Sequence, residues 1–363
     1  MDFTPSPSQQ LLVATARDFL RRHCPPETAQ RLALDERGFD ETLWRRMAEL
    51  GWPGLLIPGD LGGSDGSLLD VILLVEEMGR AGMPGPFVTS AVVATSLLLA
   101  AGPGRPQERL LPALATGERI ATLALAEEGC SLDPHSVALR CAIPGRLTGA
   151  KLFVKDAHVA SDLIVALADG ELLLLPADQA GIARLPLDTL SGEKVFEVTF
   201  DAVEVGVETR LGRGAEALAA ALTAGALART AEMVGAAQRV LDLAVEHART
   251  RVQGGRPIGG YQAIQHTCAD LVRDVDTSRG LLYVAAWKVS EGLAAAPDVA
   301  TAKAYAGEAC LSVARRGHQV FGAIGYCEEH PLHLLHKRMQ AASLDFGDAG
   351  LHLETVAQAI GLR

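Results

Sequence analysis

Aromatic side chains are scarce in this chain of 363 residues, where Phe, Trp and Tyr together make up 4%. Cysteine is scarce as well: the six stand at 24, 130, 141, 268, 310 and 327, and none forms a C-x-x-C pair. That spacing suits neither a zinc site nor a disulfide framework, so packing cysteines in a reduced, cytoplasmic protein are expected. Long basic runs are missing, and 33 Lys+Arg against 44 Asp+Glu leave a formal charge of −11. An acidic chain without a basic patch lacks the footprint of nucleic-acid binding and that of a basic helix lying on a membrane. The first residues, MDFTPSPSQQ, show no positive stretch ahead of an apolar one, so no signal peptide is expected. The most apolar windows, such as 91–101, fall short of the ~20 residues of a membrane span, which argues against membrane insertion. What is present is globular in kind: 48% hydrophobic and 21% charged residues. The length suits two to three domains at ~150 residues each.

Patterning divides the chain into 1–120, 121–209 and 210–363. In the first part Leu11, Leu12, Ala16, Phe19 and Leu20 recur at helical spacing, as do Leu43, Met47 and Leu50. A Gly/Pro loop over 51–66 precedes LLDVILLVEEMGR, a helix expected to end near Gly79, and another apolar helix is expected over 89–101. The second part changes period. ATLALAEE, SVALRCAI, KLFVKDA, DLIVAL, ELLLLPA, ARLPL, VFEVTF and VEVGVE are short β-prone runs punctuated by Gly, Pro and Asp, the pattern of an antiparallel sandwich or barrel. No strand alternates with a helix, which excludes a doubly wound nucleotide fold. The third part reads as long helices over 215–251, 262–292 and 298–321, with a fourth after Pro331, and so predicts a four-helix bundle.

Several local features carry chemistry. RVQGGRPIGGYQAIQ, residues 251–265, ends one helix in a basic residue, turns on two glycines and opens the next helix with amides. Such donors beside a glycine turn suit a phosphate grip, and equally a helix hairpin with no ligand. QVFGAIGY, residues 319–326, lets bare backbone approach a ligand, yet it is not G-x-G-x-x-G after a strand. His330, His333 and His336 fall on one helix side, but without H-E-x-x-H and with leucines between them they read as a partly exposed surface, and no metal is expected. Ser64, Ser131 and Ser191 lie near glycines, none in G-x-S-x-G, so a serine hydrolase has no support.

Together these stretches resemble the acyl-CoA dehydrogenase family along nearly the whole chain. Pro58–Gly66 with Asp70 and Glu76–Arg80 is similar to that family's N-terminal loop and helix, and KVFEVTFDAVEV to its last middle-domain strands. RVQGGRPIGGYQAIQH resembles RxQFGxPIxxFQAIQ with Gly254 in place of Phe, and QVFGAIGY resembles QxxGGxGY with Ala323 in place of Gly. The ending LDFGDAGLHLETVAQAIGL is similar to a bacterial branch that includes dehydrogenases of bulky and steroid-side-chain acyl-CoA thioesters. The resemblance implies an α+β multi-domain chain: a helical N-domain (1–120), an antiparallel β-barrel middle domain (121–209) and a C-terminal four-helix bundle (210–363). It also implies FAD, an acyl-CoA substrate, and an electron-transfer flavoprotein or similar acceptor. The resemblance further implies that a neighbouring subunit grips the ADP half of the cofactor. Arg251, Gln253 and Gln262 match the positions that reach across to the neighbour's FAD, and Gln319 and Gly322 match the loop that packs on the same portion.

The chain departs from the family where the reaction is carried out. The family's α,β-dehydrogenation needs a carboxylate to take the α-proton while flavin takes the β-hydride. The two positions that host this glutamate fall, by ungapped counting, on Phe346 and Gly225, and neither can accept a proton. Displaced candidates are Asp345, Glu232 and Glu329. The TEPxxGSD segment appears as 126–133, so Ala126 lacks the hydroxyl offered to the flavin, and the W-[IV]-[TS] segment appears as Phe153-Val154-Lys155, where an ammonium replaces a hydroxyl. This asymmetry points to one subunit of a heteromeric enzyme, a heterotetramer with a second acyl-CoA dehydrogenase-like chain that carries the glutamate, as in some bacterial relatives. The alternatives are a homo-oligomer with a displaced base, a non-catalytic subunit completing a partner's FAD site, and another flavin oxidation on the same scaffold.

Overall fold

A computed structural model describes residues 5–129, 136–141, 143, 145–212 and 214–362. Helices α1 (Pro7–His23), α2 (Pro26–Leu34), α3 (Glu41–Glu49) and α4 (Leu68–Ala81) come first. A π-helix (Phe87–Ala94), α5 (Thr95–Ala100) and α6 (Arg105–Ala115) follow. The strands are β1 (Ala121–Ala124), β2 (Arg146–Lys155), β3 (Asp162–Ala166), β4 (Leu172–Pro176), β5 (Ile182–Leu187), β6 (Val195–Glu204) and β7 (Arg210–Leu211). Then come α7 (Gly214–Thr250), a ribbon of β8 (Val252–Gln253) and β9 (Arg256–Pro257), α8 (Gln262–Ser290), α9 (Ala296–Phe321), α10 (Leu332–Leu344) and α11 (Ala349–Ala359).

Contacts group the chain into two compact units, divided within α7. One takes Leu32–Ser67 and Pro84–Gly225. Its strands form two sheets, ordered β1-β3-β4-β7 and β2-β6-β5. Leu147, Val154, Val198 and Phe200 from one sheet and Leu163, Val165, Leu173 and Leu175 from the other share a single apolar core. The unbroken runs DLIVA and LLLL are buried throughout, whereas β5 alternates between partly buried and exposed positions. The expected antiparallel barrel is corrected in two respects. Among the described residues the sheets stay open, and β1 pairs β3 in parallel. The chain spends β2 in the other sheet before returning beside β1, so the return runs in the same direction. SVALRCAI forms no strand in its described part. The expected α-helix over 89–101 begins two residues earlier, as a π-helix, where Thr89 donates to Asp156 at 2.7 Å. Trp44 is buried in this unit and donates to the Gly117 carbonyl at 2.8 Å.

The other unit takes Met1–Arg31, Leu68–Met83 and Ala226–Arg363. Helix α1 starts on a capping box, with the Ser6 hydroxyl accepting from Gln9 N and the Gln9 side chain accepting from Ser6 N. Within this unit α4 and α7 cross with almost no side chain between them. A Cβ on Gly79 would run into the Glu232 backbone, and one on Gly235 into the Glu76 carbonyl, with Arg80 N only 2.7 Å away. Polar bonds frame the crossing. Buried Glu76 accepts from Arg279 Nε (2.9 Å) and Tyr283 Oη (2.8 Å), and Arg279 also donates to Gln238 (2.7 Å). Arg80 pairs with Asp242 at 2.6 Å, and Arg17 grips Glu77 through two nitrogens. Among the described residues the C-terminal part holds five α-helices rather than the expected four, because Phe346 and Gly347, both at positive φ, end the α10 segment and Asp348 caps α11. Glu328 and Glu329 lie in the turn before α10.

The α4–α7 contact sets a paired expectation. Gly235→Ala overpacks it and should cost about 1–3 kcal/mol in chemical denaturation. Gly280→Ala, on the exposed side of α8 with nothing within 4 Å of a Cβ, should leave stability unchanged or raise it by up to ~1 kcal/mol.

Candidate functional site

Helix α7 ends in the ribbon because its sequence stops favouring a helix: Gly254 and Gly255 adopt positive φ (59° and 79°) and Pro257 follows. The turn brings Arg251 and Gln253 onto an exposed loop, with exposed Gln262 opening α8 beside it. Arg251 N donates to His247 O and Ile258 N to Arg251 O, both at 2.8 Å, so the backbone at the arginine is fixed while its side chain faces outward. Gln319 is exposed near the end of α9, and Gly322 follows at φ 65° with no atom within 4 Å of where a Cβ would be. Cation and amide donors with bare backbone are suited to a phosphate-bearing ligand approaching from outside the chain.

Imidazoles in the same unit support the 319–326 loop. His247 packs on Phe321 (4.5 Å between centroids), Phe321 on His330 (4.5 Å), and His318 on Tyr326 (4.6 Å) and His336 (5.1 Å). Thus His330 and His336, which the sequence placed on a helix surface, turn toward this aromatic group. Burial pushes the pKa of His247, His318, His330 and His336 down, and neighbouring cations add to it: Arg251 at His247, Arg239 at His330, Arg315 at His336. Among the described residues no group of three or more His, Cys, Asp or Glu is placed to hold a metal ion.

The positions matched to a catalytic glutamate carry none. Phe346 sits half-buried at φ 55° between α10 and α11, and Gly225 is buried in α7. Two of the displaced carboxylates are committed elsewhere. Arg229, four residues after Gly225 and 6% exposed, pairs with Glu232 and with Asp345 at 2.9 Å. Glu329 is exposed in its turn. Next to Asp345, fully buried Lys303 donates to the carbonyls of Ser343 (2.9 Å) and Gly347 (2.8 Å) and so closes the loop that carries Phe346. Burial pushes this ammonium down to about 8, against the pull of Asp345. Sequence reasoning missed Arg229 and Lys303. Their signal was a lone cation inside an alanine-rich helical run, LARTAEM and ATAKAYA.

In the sheet unit, Ala126 is half-buried after β1 and its carbonyl accepts from Leu152 N at 2.8 Å. Phe153 occupies a bulge of β2 at φ 55° and is 51% exposed, a local strain that aims the ring out of the strand. Lys155 donates to Glu193 at 3.0 Å. Behind Ala126, the fully buried Lys151 donates to Glu127 (2.5 Å) and to the Leu125 carbonyl (3.0 Å). Burial lowers the Lys151 pKa. It would also lift the Glu127 carboxyl, but the ammonium and the amides of Ala138 and Leu139 hold that group below its usual range. Cys130, Ser131, Leu132 and Asp133 of the 126–133 segment lie outside the described residues.

Residues 6–118 match the acyl-CoA dehydrogenase N-terminal domain and residues 212–361 the C-terminal domain. Acyl-CoA dehydrogenase IpdE2 of Mycobacterium tuberculosis is 32% identical over 346 residues, 94% of this chain and 93% of that protein. The chain belongs to the acyl-CoA dehydrogenase family. A chain of the ChsE4–ChsE5 complex of Mycobacterium tuberculosis superposes with a TM-score of 0.91 at 30% identity, covering 99% of each chain. A variant of the Tcur3481–Tcur3483 steroid ACAD gives 0.87 at 29% identity, with 97% of each covered. As an acyl-CoA dehydrogenase the chain is an oxidoreductase acting on CH–CH donors.

In this acyl-CoA dehydrogenase chain Arg251, Gln253, Gln262 and Gln319 are exposed, and the backbone at Gly322 is open. In α7 the 18-residue window apolar enough to span a membrane is 72% buried, as befits a core helix.

Two outcomes are expected. Arg229→Leu strands Glu232 and Asp345 and should cost about 3–5 kcal/mol in denaturant unfolding. The four depressed imidazoles are held neutral in the fold, whereas in the unfolded chain they take up protons near pH 6.5. The contribution of these imidazoles to stability should therefore be flat above that pH and fall below it. Thermal unfolding at pH 5.5 against 7.5 checks this, and His318→Gln should shrink the difference.

Proposed function

We propose that this chain is one subunit of a heteromeric, FAD-dependent acyl-CoA dehydrogenase whose partner chain supplies the base. The observation that carries the reading is the contrast between the two halves of the chemistry. The donors that would clasp a neighbour's FAD are intact and exposed, while Phe346 and Gly225 hold no carboxylate and the nearby Asp345 and Glu232 share one buried guanidinium. Both carboxylates are paired with Arg229, and that pairing would have to open before either could reach a substrate. The similarity to a chain of the two-component ChsE4–ChsE5 complex supports the heteromer.

In this reading Arg251, Gln253 and Gln262 hold the ADP half of the partner's FAD, and Gln319 and the Gly322 backbone cover the same portion. When bound, the flavin accepts the β-hydride of an acyl-CoA thioester, and electrons leave to an electron-transfer flavoprotein or similar acceptor. Phe153 offers an apolar ring at the flavin edge, Ala126 offers backbone only, and the Lys155 ammonium stands where a hydroxyl is usual. Phe346, held by the Lys303-closed loop, leaves an apolar side chain where the base would stand.

A second reading, an active homo-oligomer, is separated from the first by colour. The chain expressed alone should be colourless, and should gain FAD absorbance only when co-expressed with a second acyl-CoA dehydrogenase-like chain. A yellow protein purified alone and bleached anaerobically by acyl-CoA overturns the heteromer. Bleaching by a substrate without CoA would favour another flavin oxidation. In the FAD-loaded complex Arg251→Ala should weaken cofactor retention by about 1.5–3 kcal/mol, the worth of a charge-assisted bond, read by equilibrium dialysis.

A further inference from the structure

The ribbon between α7 and α8 presents its donors with almost no core beneath it: residues 251–257 are all exposed. Two paired rungs, Val252 with Pro257 and Gln253 with Arg256, do not make a stable hairpin in water by themselves. The polar side chains of the segment mostly bond locally. Gln253 Nε2 donates to the Val252 carbonyl (2.8 Å) and Gln265 Nε2 to the Gly259 carbonyl (3.0 Å).

One side chain reaches both strands and the tip. The Tyr261 hydroxyl donates to the Gln253 carbonyl at 3.0 Å. The Arg256 guanidinium lies over the Tyr261 ring, 4.1 Å from its centroid. A Cβ on Gly254 would collide with the Tyr261 hydroxyl. Residue 254 is therefore bare because residue 261 has filled its place, and the positive φ of Gly254 adds a second bar to a side chain.

We propose that Tyr261 is the positioning residue of this clasp: by bonding Gln253 and seating Arg256 it holds the ribbon in the shape that presents Arg251 and Gln253 to a partner's dinucleotide. The inference rests on reading the ribbon as the element that grips FAD, but the part about ribbon shape is measurable without any ligand. A preformed ribbon matters because flexible donors lose conformational entropy on binding, and ordering them beforehand raises affinity without adding a contact to the ligand.

The test uses the FAD-loaded protein, as complex or single chain, with the Tyr261→Phe variant, which keeps the ring and removes only the O–H donor. Amide hydrogen exchange over 252–257 should quicken several-fold while exchange elsewhere and the thermal midpoint stay put. The dissociation constant for FAD should rise about 2- to 10-fold, as for loss of one ordinary hydrogen bond. Gly254→Ala should lose more FAD than this, and Gly254→Ala combined with Tyr261→Phe should lose less than Gly254→Ala alone, because the collision is gone. That rescue is not expected of a residue that merely supports the fold. Unchanged exchange in Tyr261→Phe overturns the proposal. Faster exchange with unchanged FAD affinity also overturns it, and Arg251→Ala then shows where the fault lies. If that variant loses FAD, only the role of Tyr261 is wrong; if it too keeps FAD, the clasp reading itself has failed.

Discussion

Helix α7 can do its work only because two glycines let it lie directly on α4. With Gly79 and Gly235 at the crossing, backbone meets backbone, and the space that side chains would occupy is given to the surrounding ionic network. Such a contact has little tolerance in register: sliding α7 by one residue would replace a glycine with Val234 or Ala236 at the point of closest approach. Arg229 sits less than two turns before Gly235 and Arg251 less than five turns after it, so both inherit that register. Glu76, Arg279, Tyr283 and Gln238 then bind α4, α7 and α8 together through bonds that a shifted helix could not make. Burial and the Glu76 charge both push the Tyr283 phenol up, so it remains a donor at any physiological pH.

From that fixed helix the chain divides its polar groups by task. Cations at the end of α7 stay exposed, where they retain their hydration until a ligand replaces it. The cation in the middle of α7 is buried and could not remain so unpaired, since an isolated charge in the interior is very costly. Glu232 and Asp345 meet that requirement, and in doing so both carboxylates are engaged on Arg229. Lys303 is held in the same way by carbonyls, and the loop it closes keeps Phe346 in a left-handed conformation that most side chains avoid. Electrostatic satisfaction and the missing base are thus two aspects of one arrangement.

The helices and the 251–262 turn were legible in the sequence because their signals are local: apolar spacing, paired glycines, a proline. The π-helix was not, since FVTSAVVATSLLLA is apolar on every side and fits several helical pitches equally well. The parallel pairing of β1 with β3 was hidden because strand direction leaves no trace in a strand's own residues. The break at Phe346 had a readable sign, Gly347 followed by the capping Asp348, which the search for an aligned glutamate overshadowed. Arg229 with Asp345 and Lys151 with Glu127 join residues far apart in the chain, and no spacing rule connects them before the fold does. The outward donors at Arg251, Gln253 and Gln319 were found by sequence and lie where a ligand outside the chain could reach them. That Tyr261 fills the place vacated at Gly254 shows only in three dimensions.

The scarcity of aromatic rings has an optical consequence. The three indoles are Trp44, Trp52 and Trp287, and the first two, both buried, fall in the unit that holds the sheets while the third lies on α8 in the other. Intrinsic emission is therefore a two-channel signal. With Trp287 replaced by phenylalanine, fluorescence would follow the melting of the sheet-bearing unit. With Trp44 and Trp52 replaced instead, it would follow the helical unit, giving each compact half its own built-in spectroscopic label.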